Sequence, residues 1–142
     1  MTVEPVANVP GFARAWADAW ARAWRMHDAA LVGSLYADDA TFRSQPFRAP
    51  LTGGDGATGY AAWAFEDEQS ARVWFAEPRV VGGDGAAVEY WAVSTDREGT
   101  NQTIAGVALL RFAPDGRVID QRDYWSTSQG AVEPYEGWGR HV

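Results

Sequence analysis

Apolar positions along the chain fall into two regimes, recurring at helical spacing through residue 71 and alternating from residue 72 onward. Trp16, Trp20 and Trp24 stand four residues apart, backed by Ala13, Ala17, Ala21 and Ala23, and Pro10 suits a first helical turn. The spacing predicts a helix over 10–26 with an aromatic ridge along one face. A second, short helix is predicted from a cap at Asp28 to Tyr36, with Ala30, Leu31 and Leu35 inward. Asp38 and Asp39 mark a turn, and 40–47 reads as a strand with Phe42 and Ser44 on one face and Thr41, Arg43 and Gln45 on the other. The glycines and proline of 50–59 predict a loop. A third helix is expected over 60–71, with Tyr60, Trp63 and Ala64 inward and Glu66, Asp67 and Glu68 solvated.

The second regime gives strands over 72–81, 86–97, 100–112 and 117–128, separated by Gly82-Gly83-Asp84-Gly85, Glu98-Gly99 and Pro114-Asp115-Gly116. Such turns imply consecutive antiparallel hairpins. Helices first and a meander after them predict an α+β fold with helices on one face of a curved sheet.

Composition narrows the chemistry. A chain of 142 residues holds one domain, 1–142, with a core over about 10–128 and a tail over 129–142. With 46% hydrophobic and 22% charged residues it can build a core, and no apolar run approaches the roughly 20 residues of a membrane span. A soluble, cytoplasmic protein without membrane partners is expected. Cysteine is absent, which excludes thiolate chemistry, and lysine is absent, which excludes Schiff bases and a phosphate-binding P-loop. Two histidines, His27 and His141, are too few for a metal site built on several imidazoles, so no metal or cofactor is expected. The net charge of -7 and twelve scattered arginines argue against a nucleic-acid partner. Eight tryptophans, five tyrosines and six phenylalanines must fill a core, line a pocket or form an interface.

The order helix, helix, strand, helix, four long strands resembles the nuclear transport factor 2-like superfamily. So do the stretches Leu35-Tyr36-Ala37-Asp38-Asp39-Ala40-Thr41, 106–112, Asp115-Gly116-Arg117-Val118 and Arg122-Asp123-Tyr124-Trp125. Within it the chain is most similar to the SnoaL-like proteins. The resemblance implies a cone-shaped, cystatin-like α+β fold whose curved antiparallel sheet and helices enclose a pocket. This fold carries ketosteroid isomerases, polyketide cyclases, epoxide hydrolases, dehydratases and non-catalytic modules, so fold alone does not assign the activity. Carried over by position, the ketosteroid isomerase base falls at Ser44, its oxyanion tyrosine near Trp20 and its protonated acid near Ala108, so that machinery is lost. The tyrosine and asparagine of limonene epoxide hydrolases fall at Phe42 and Ser44, and one of their aspartates at Asp123. Their Arg-x-Asp falls within 89–92, where Glu89 is the carboxylate present. SnoaL-type cyclases are similar in using an inward aspartate, again nearest Asp123.

Strand alternation groups Ile119, Gln121, Asp123, Trp125 and Thr127 on one face, and places Ile104, Gly106, Ala108 and Leu110 inward on the neighbouring strand. Asp123 is the candidate acid or base, with Glu89 as a second carboxylate if it faces inward. The candidate walls are Trp20, Phe42, Ser44, Trp63, Trp91, Ala108, Gln121 and Trp125. An aspartate bonded only to a backbone donor or paired with an arginine is the plain structural alternative for Asp123, and a surface pair with an arginine that for Glu89. His27 reads as an exposed residue at the end of the first helix. The expected function is a cofactor-independent enzyme that isomerises, cyclises, dehydrates or opens an epoxide in a hydrophobic small molecule. A binding module or a dimerisation module is the alternative. A homodimer is expected through an outer sheet face bearing Tyr90, Val118 and Tyr124, and the tail aromatics Tyr135 and Trp138 are expected at the pocket mouth or on a partner chain.

Overall fold

A computed structural model of the chain describes residues 6–140. Helix α1 spans Val9–Met26, with Pro10 in its first turn, and ends where His27 adopts a left-handed conformation at φ 55°. Asp28 caps the short α2, Ala29–Gly33, by accepting the Leu31 N–H at 3.1 Å. Strands β1 (Tyr36–Arg43) and β2 (Leu51–Thr52) precede α3 (Gly53–Phe65), after which the chain is all strand: β3 (Glu68–Phe75), β4 (Arg79–Val81), β5 (Gly85–Asp96), β6 (Asn101–Phe112) and β7 (Val118–Gln129). The strands form one mixed sheet in the order β2-β1-β7-β6-β5-β3, with β4 paired to β5. Every joint is antiparallel except that between β1 and β7, which run parallel and bring Phe42 beside Gln121. The helices pack on one face, where Trp16, Trp20, Val32, Phe42, Val88, Leu110 and Phe112 are buried in a single core.

Several features differ from the expectations, and β1 begins at Tyr36, so that Asp38 and Asp39, expected in a turn, lie within it. Residues 53–59, expected as a loop, are the first half of α3, because their glycines serve close packing. A β-carbon on Gly54 would lie 2.7 Å from the Gly33 carbonyl oxygen of α2. The helix therefore buries Ala57, Ala61 and Phe65, and Trp63, on the other side, is 60% exposed. The single strand expected over 72–81 begins at Glu68 and breaks before Pro78, which has no N–H to give a ladder.

Strand parity also departs locally. The register of β7 against β6 shifts between Arg111 and Phe112, and this irregularity turns Val118 into the core instead of outward. On β5 the inward set is Val88, Tyr90 and Ala92, so Tyr90 is buried under the helices and Glu89 and Trp91 face away from them. The pattern alone left both faces apolar because the tail covers the second one. The Trp91 indole donates to the Val132 carbonyl oxygen at 2.7 Å, and its ring meets Tyr135 and Trp138 edge-on at 6.2 and 5.9 Å. Arg72 pairs with Glu133, and the Glu77 N–H donates to the Gly139 carbonyl at 3.0 Å. The tail thus lies on its own sheet, away from the pocket. His141 lies outside the described residues.

Candidate active site

Because α1 is amphipathic at a four-residue repeat, it directs Trp16, Trp20 and Trp24 down onto the sheet, and the sheet cannot close against so wide a ridge. A cavity with about 90 Å³ of free space remains. Its walls are Trp16, Trp20 and Trp24 from α1, Tyr60 and Phe65 from α3, and Phe75, Tyr90, Ile104, Gln121, Asp123 and Trp125 from the sheet. Drug-sized pockets run to roughly 300–1,000 Å³. A larger ligand must therefore part the aromatic walls.

Asp123 is the acidic group at the centre of this geometry. Its Oδ1 accepts the side-chain N–H of Gln121 at 2.9 Å, and its Oδ2 accepts the Tyr90 hydroxyl at 3.2 Å. Behind Gln121, the Tyr36 hydroxyl accepts the indole N–H groups of Trp20 at 3.0 Å and Trp16 at 3.4 Å. Its own proton is therefore free to go to Gln121 Oε1, 2.5 Å away. This one-way chain fixes the amide so that its nitrogen, not its oxygen, meets the carboxylate. No buried side-chain N or O among the described residues lacks a partner.

Burial raises the Asp123 pKa, and the hydrogen bonds from Gln121 and Tyr90 lower it. Burial wins, leaving the carboxyl at about 7. Both tyrosines in contact with this network, Tyr36 and Tyr90, are pushed above their ordinary value by desolvation, with the Asp123 charge adding to it. They remain hydroxyl donors. Tyr60 is raised by burial and by Asp123, and lowered by hydrogen bonds to Arg48 and Ser44 on its far side. A carboxyl near 7 among permanent donors can both accept and return a proton at neutral pH.

A second carboxylate lines the cavity. Glu68, expected in solvent, starts β3 where the third helix was expected to continue, and turns inward. It accepts the Trp24 indole N–H at 3.2 Å and contacts His27 Nε2 at 2.9 Å. His27 itself is half-buried and stacks on Phe65 with centroids 5.1 Å apart, a role its place at a helix end did not suggest. Desolvation raises the Glu68 pKa against the opposing effect of His27 and Trp24.

Of the residues singled out from sequence, Asp123, Gln121, Trp20 and Trp125 line the cavity. Phe42 and Ala108 lie behind it in the core, Phe42 stacked on Tyr36 at 5.6 Å and Ala108 paired with Asp123 across the β6–β7 ladder. Ser44 is buried, its carbonyl accepting the Trp125 indole at 2.6 Å and its hydroxyl facing Arg48. Trp63 is a surface residue, and Glu89 and Trp91 belong to the face under the tail. Trp16, Trp24, Glu68 and Tyr90 also line the cavity without being among the candidate walls, and Tyr36 acts from behind Gln121. The Trp16, Trp20, Trp24 stripe carried a signal for the first two, while Tyr36, Glu68 and Tyr90 depended on element boundaries and sheet faces. Among the described residues no group of three His, Asp or Glu is placed to hold a metal ion, and no helix is long and apolar enough to cross a membrane.

A family model, the SnoaL-like domain, matches residues 14–121. Comparison with curated proteins returns no match. Several solved structures share the fold. The epoxide hydrolase/cyclase-like enzyme SalBIII, of pyran ring formation in the polyether salinomycin, superposes with a TM-score of 0.71 at 15% identity over 86% of this chain and 95% of that one. A hypothetical protein of ketosteroid isomerase-like fold from Catenulispora acidiphila, solved with trimethylamine, gives 0.67 at 21% identity over 84% and 85%. An LEH-like epoxide hydrolase from M. tuberculosis gives 0.65 at 15% identity over 82% and 84%.

Proposed function

The chain belongs to the SnoaL-like domain family, and from that premise we propose that it is a cofactor-independent enzyme that moves a proton within a small hydrophobic molecule. The observation that carries this reading is Asp123, a carboxyl near pH 7 facing an aromatic cavity between two neutral donors. As carboxylate, Asp123 removes a proton from an activated C–H or hydroxyl of the substrate, and the electron pair left behind shifts into an adjacent carbonyl or closes a ring. The carboxylic acid so formed returns the proton at the new position, so the cycle consumes nothing. Gln121 and Tyr90 keep the carboxyl aimed throughout, and the rings exclude water from the reacting pair. In the same reading the protein works in the cytoplasm as a homodimer through the outer face of β6 and β7, where Leu109 and Tyr124 are exposed.

The test is a panel of small cyclic enones, hydroxyketones and epoxides incubated with the protein in D2O and followed by NMR. Proton shuttling leaves deuterium on carbon or a rearranged product, and Asp123→Asn should slow either by roughly 10²- to 10⁴-fold. Saturable binding of panel members that Asp123→Asn leaves unchanged, with no exchange in either protein, supports a binding module instead.

A further inference from the structure

Beside the cavity, on the far side of Tyr60 and Trp125, lies an open groove of about 380 Å³ with Ser44, Arg48, Leu51, Tyr60 and Trp63 among its walls. Tyr60 lines both spaces. Among the described residues Arg48 is the only charged side chain lining the groove, and its guanidinium carbon lies 5.3 Å from the Trp63 ring centroid and 5.6 Å from that of Trp125. One nitrogen, Nη1, donates to the Ser44 hydroxyl at 3.3 Å. Among the described residues no carboxylate forms an ion pair with it.

Among the described residues, Arg14, Arg22 and Arg43 likewise show no ion pair with a carboxylate, but none of them lies over two indole rings as Arg48 does. A guanidinium held against ring faces keeps its N–H groups at its edge, where they match the two oxygens of a carboxylate. The clamp also removes much of the side-chain freedom that binding would otherwise freeze. Trp63, 60% exposed on α3, serves as one jaw of that clamp.

We propose that Arg48 is the anchor for a carboxylate on the ligand, so that the molecules taken by this site are small hydrophobic acids. The acid group sits in the groove on Arg48, and the apolar body passes the edge of Tyr60 into the cavity toward Asp123. The proposal rests on the cavity being the ligand site and names the class of molecule it takes. It also accounts for a free space too small for a whole ligand, since part of the ligand occupies the groove.

The test uses 3-phenylpropionate and its uncharged isostere 3-phenylpropionamide, titrated into the whole protein by tryptophan fluorescence and calorimetry. The acid should bind at least about tenfold more tightly than the amide, a preference that added salt erodes. Arg48→Gln should bring the acid down to the level of the amide without changing the amide, which also reports that the variant is folded. Arg48→Lys should fall between them, because an ammonium cannot offer the bidentate fork. Equal binding of acid and amide, or an acid affinity indifferent to Arg48→Gln, overturns the anchor while leaving the proton-transfer reading in place. No binding of either compound overturns the anchor and counts against the cavity as the ligand site. Tight acid binding with no deuterium exchange in D2O from enones, hydroxyketones and epoxides that carry a carboxylate upholds the anchor and removes the enzyme reading alone.

Discussion

Asp123 links function to stability, since a carboxyl held at about 7 in the folded chain and near 3.8 when unfolded costs stability as pH rises. Below about pH 4 both states carry the proton and the burial is harmless. Between about 4 and 7 the unfolded chain releases it first, so the folded state weakens across this window and stays weakened above it, by a few kcal/mol at most. Asp123→Asn should match the parent near pH 4 and exceed it above pH 7, because an amide can accept from Gln121 and donate to Tyr90. Urea unfolding midpoints at both pH values check this, and parallel pH dependences in the two proteins would contradict it. Tyr36→Phe should act oppositely. It strips two indole donors and the Gln121 carbonyl of their shared partner, at roughly 1–3 kcal/mol for each buried group left unmade. It also frees Gln121 to turn, so that loss of stability and loss of exchange activity should appear together.

Among the elements, α3 shows how residue type misleads when packing decides. Glycines ordinarily weaken a helix by about 1 kcal/mol each relative to alanine. Here Gly53, at φ 67°, makes the turn out of β2, and Gly54 lets the helix backbone approach α2. Gly54→Ala gains helix propensity but drives a β-carbon into the Gly33 carbonyl, a backbone contact that cannot swing aside. The clash should win by about 1–3 kcal/mol and lower the melting temperature. A variant as stable as the parent would refute the close approach. The long strands β5, β6 and β7 were legible to within two residues, because turn chemistry at Glu98-Gly99 and Asp115-Gly116 punctuates them. The face of β5 was not, since both of its faces are covered.

At the scale of the whole molecule, the tail is the covering. Residues 130–140 cross the outer face of β5 and β3 and hold Trp91 through an indole hydrogen bond and two edge-on rings. Removing residues 131–142 uncovers Trp91 and unpairs Arg72. At roughly 2–4 °C per kcal/mol for a chain of this size, differential scanning calorimetry should register a drop of several degrees, while 3-phenylpropionate binding stays unchanged. The other half of that face, with Leu109 and Tyr124 exposed, is the surface proposed for a homodimer. Light scattering at micromolar concentration should give twice the chain mass, and Tyr124→Glu should return the monomer. A monomer in the parent protein would remove the dimer.

Periodicity and turn chemistry act over a few residues, and what depends on them was determined by sequence alone. The tryptophan ridge of α1, the antiparallel run of long strands, the α+β class and the grouping of Asp123 with Gln121 and Trp125 on one face of β7 are all of this kind. What the tertiary structure decided involves residues far apart in the chain. The parallel joint of β1 to β7 sets Phe42 beside Gln121, burial under the helices puts Tyr90 on the face where it meets Asp123, and the tail packs on Trp91 on the opposite face. Tyr36 reaches Gln121 across 85 positions and Trp24 reaches Glu68 across 44. A side chain's direction on a strand is fixed by which face is buried, and burial is a property of everything packed there. No local pattern on β5 holds that information.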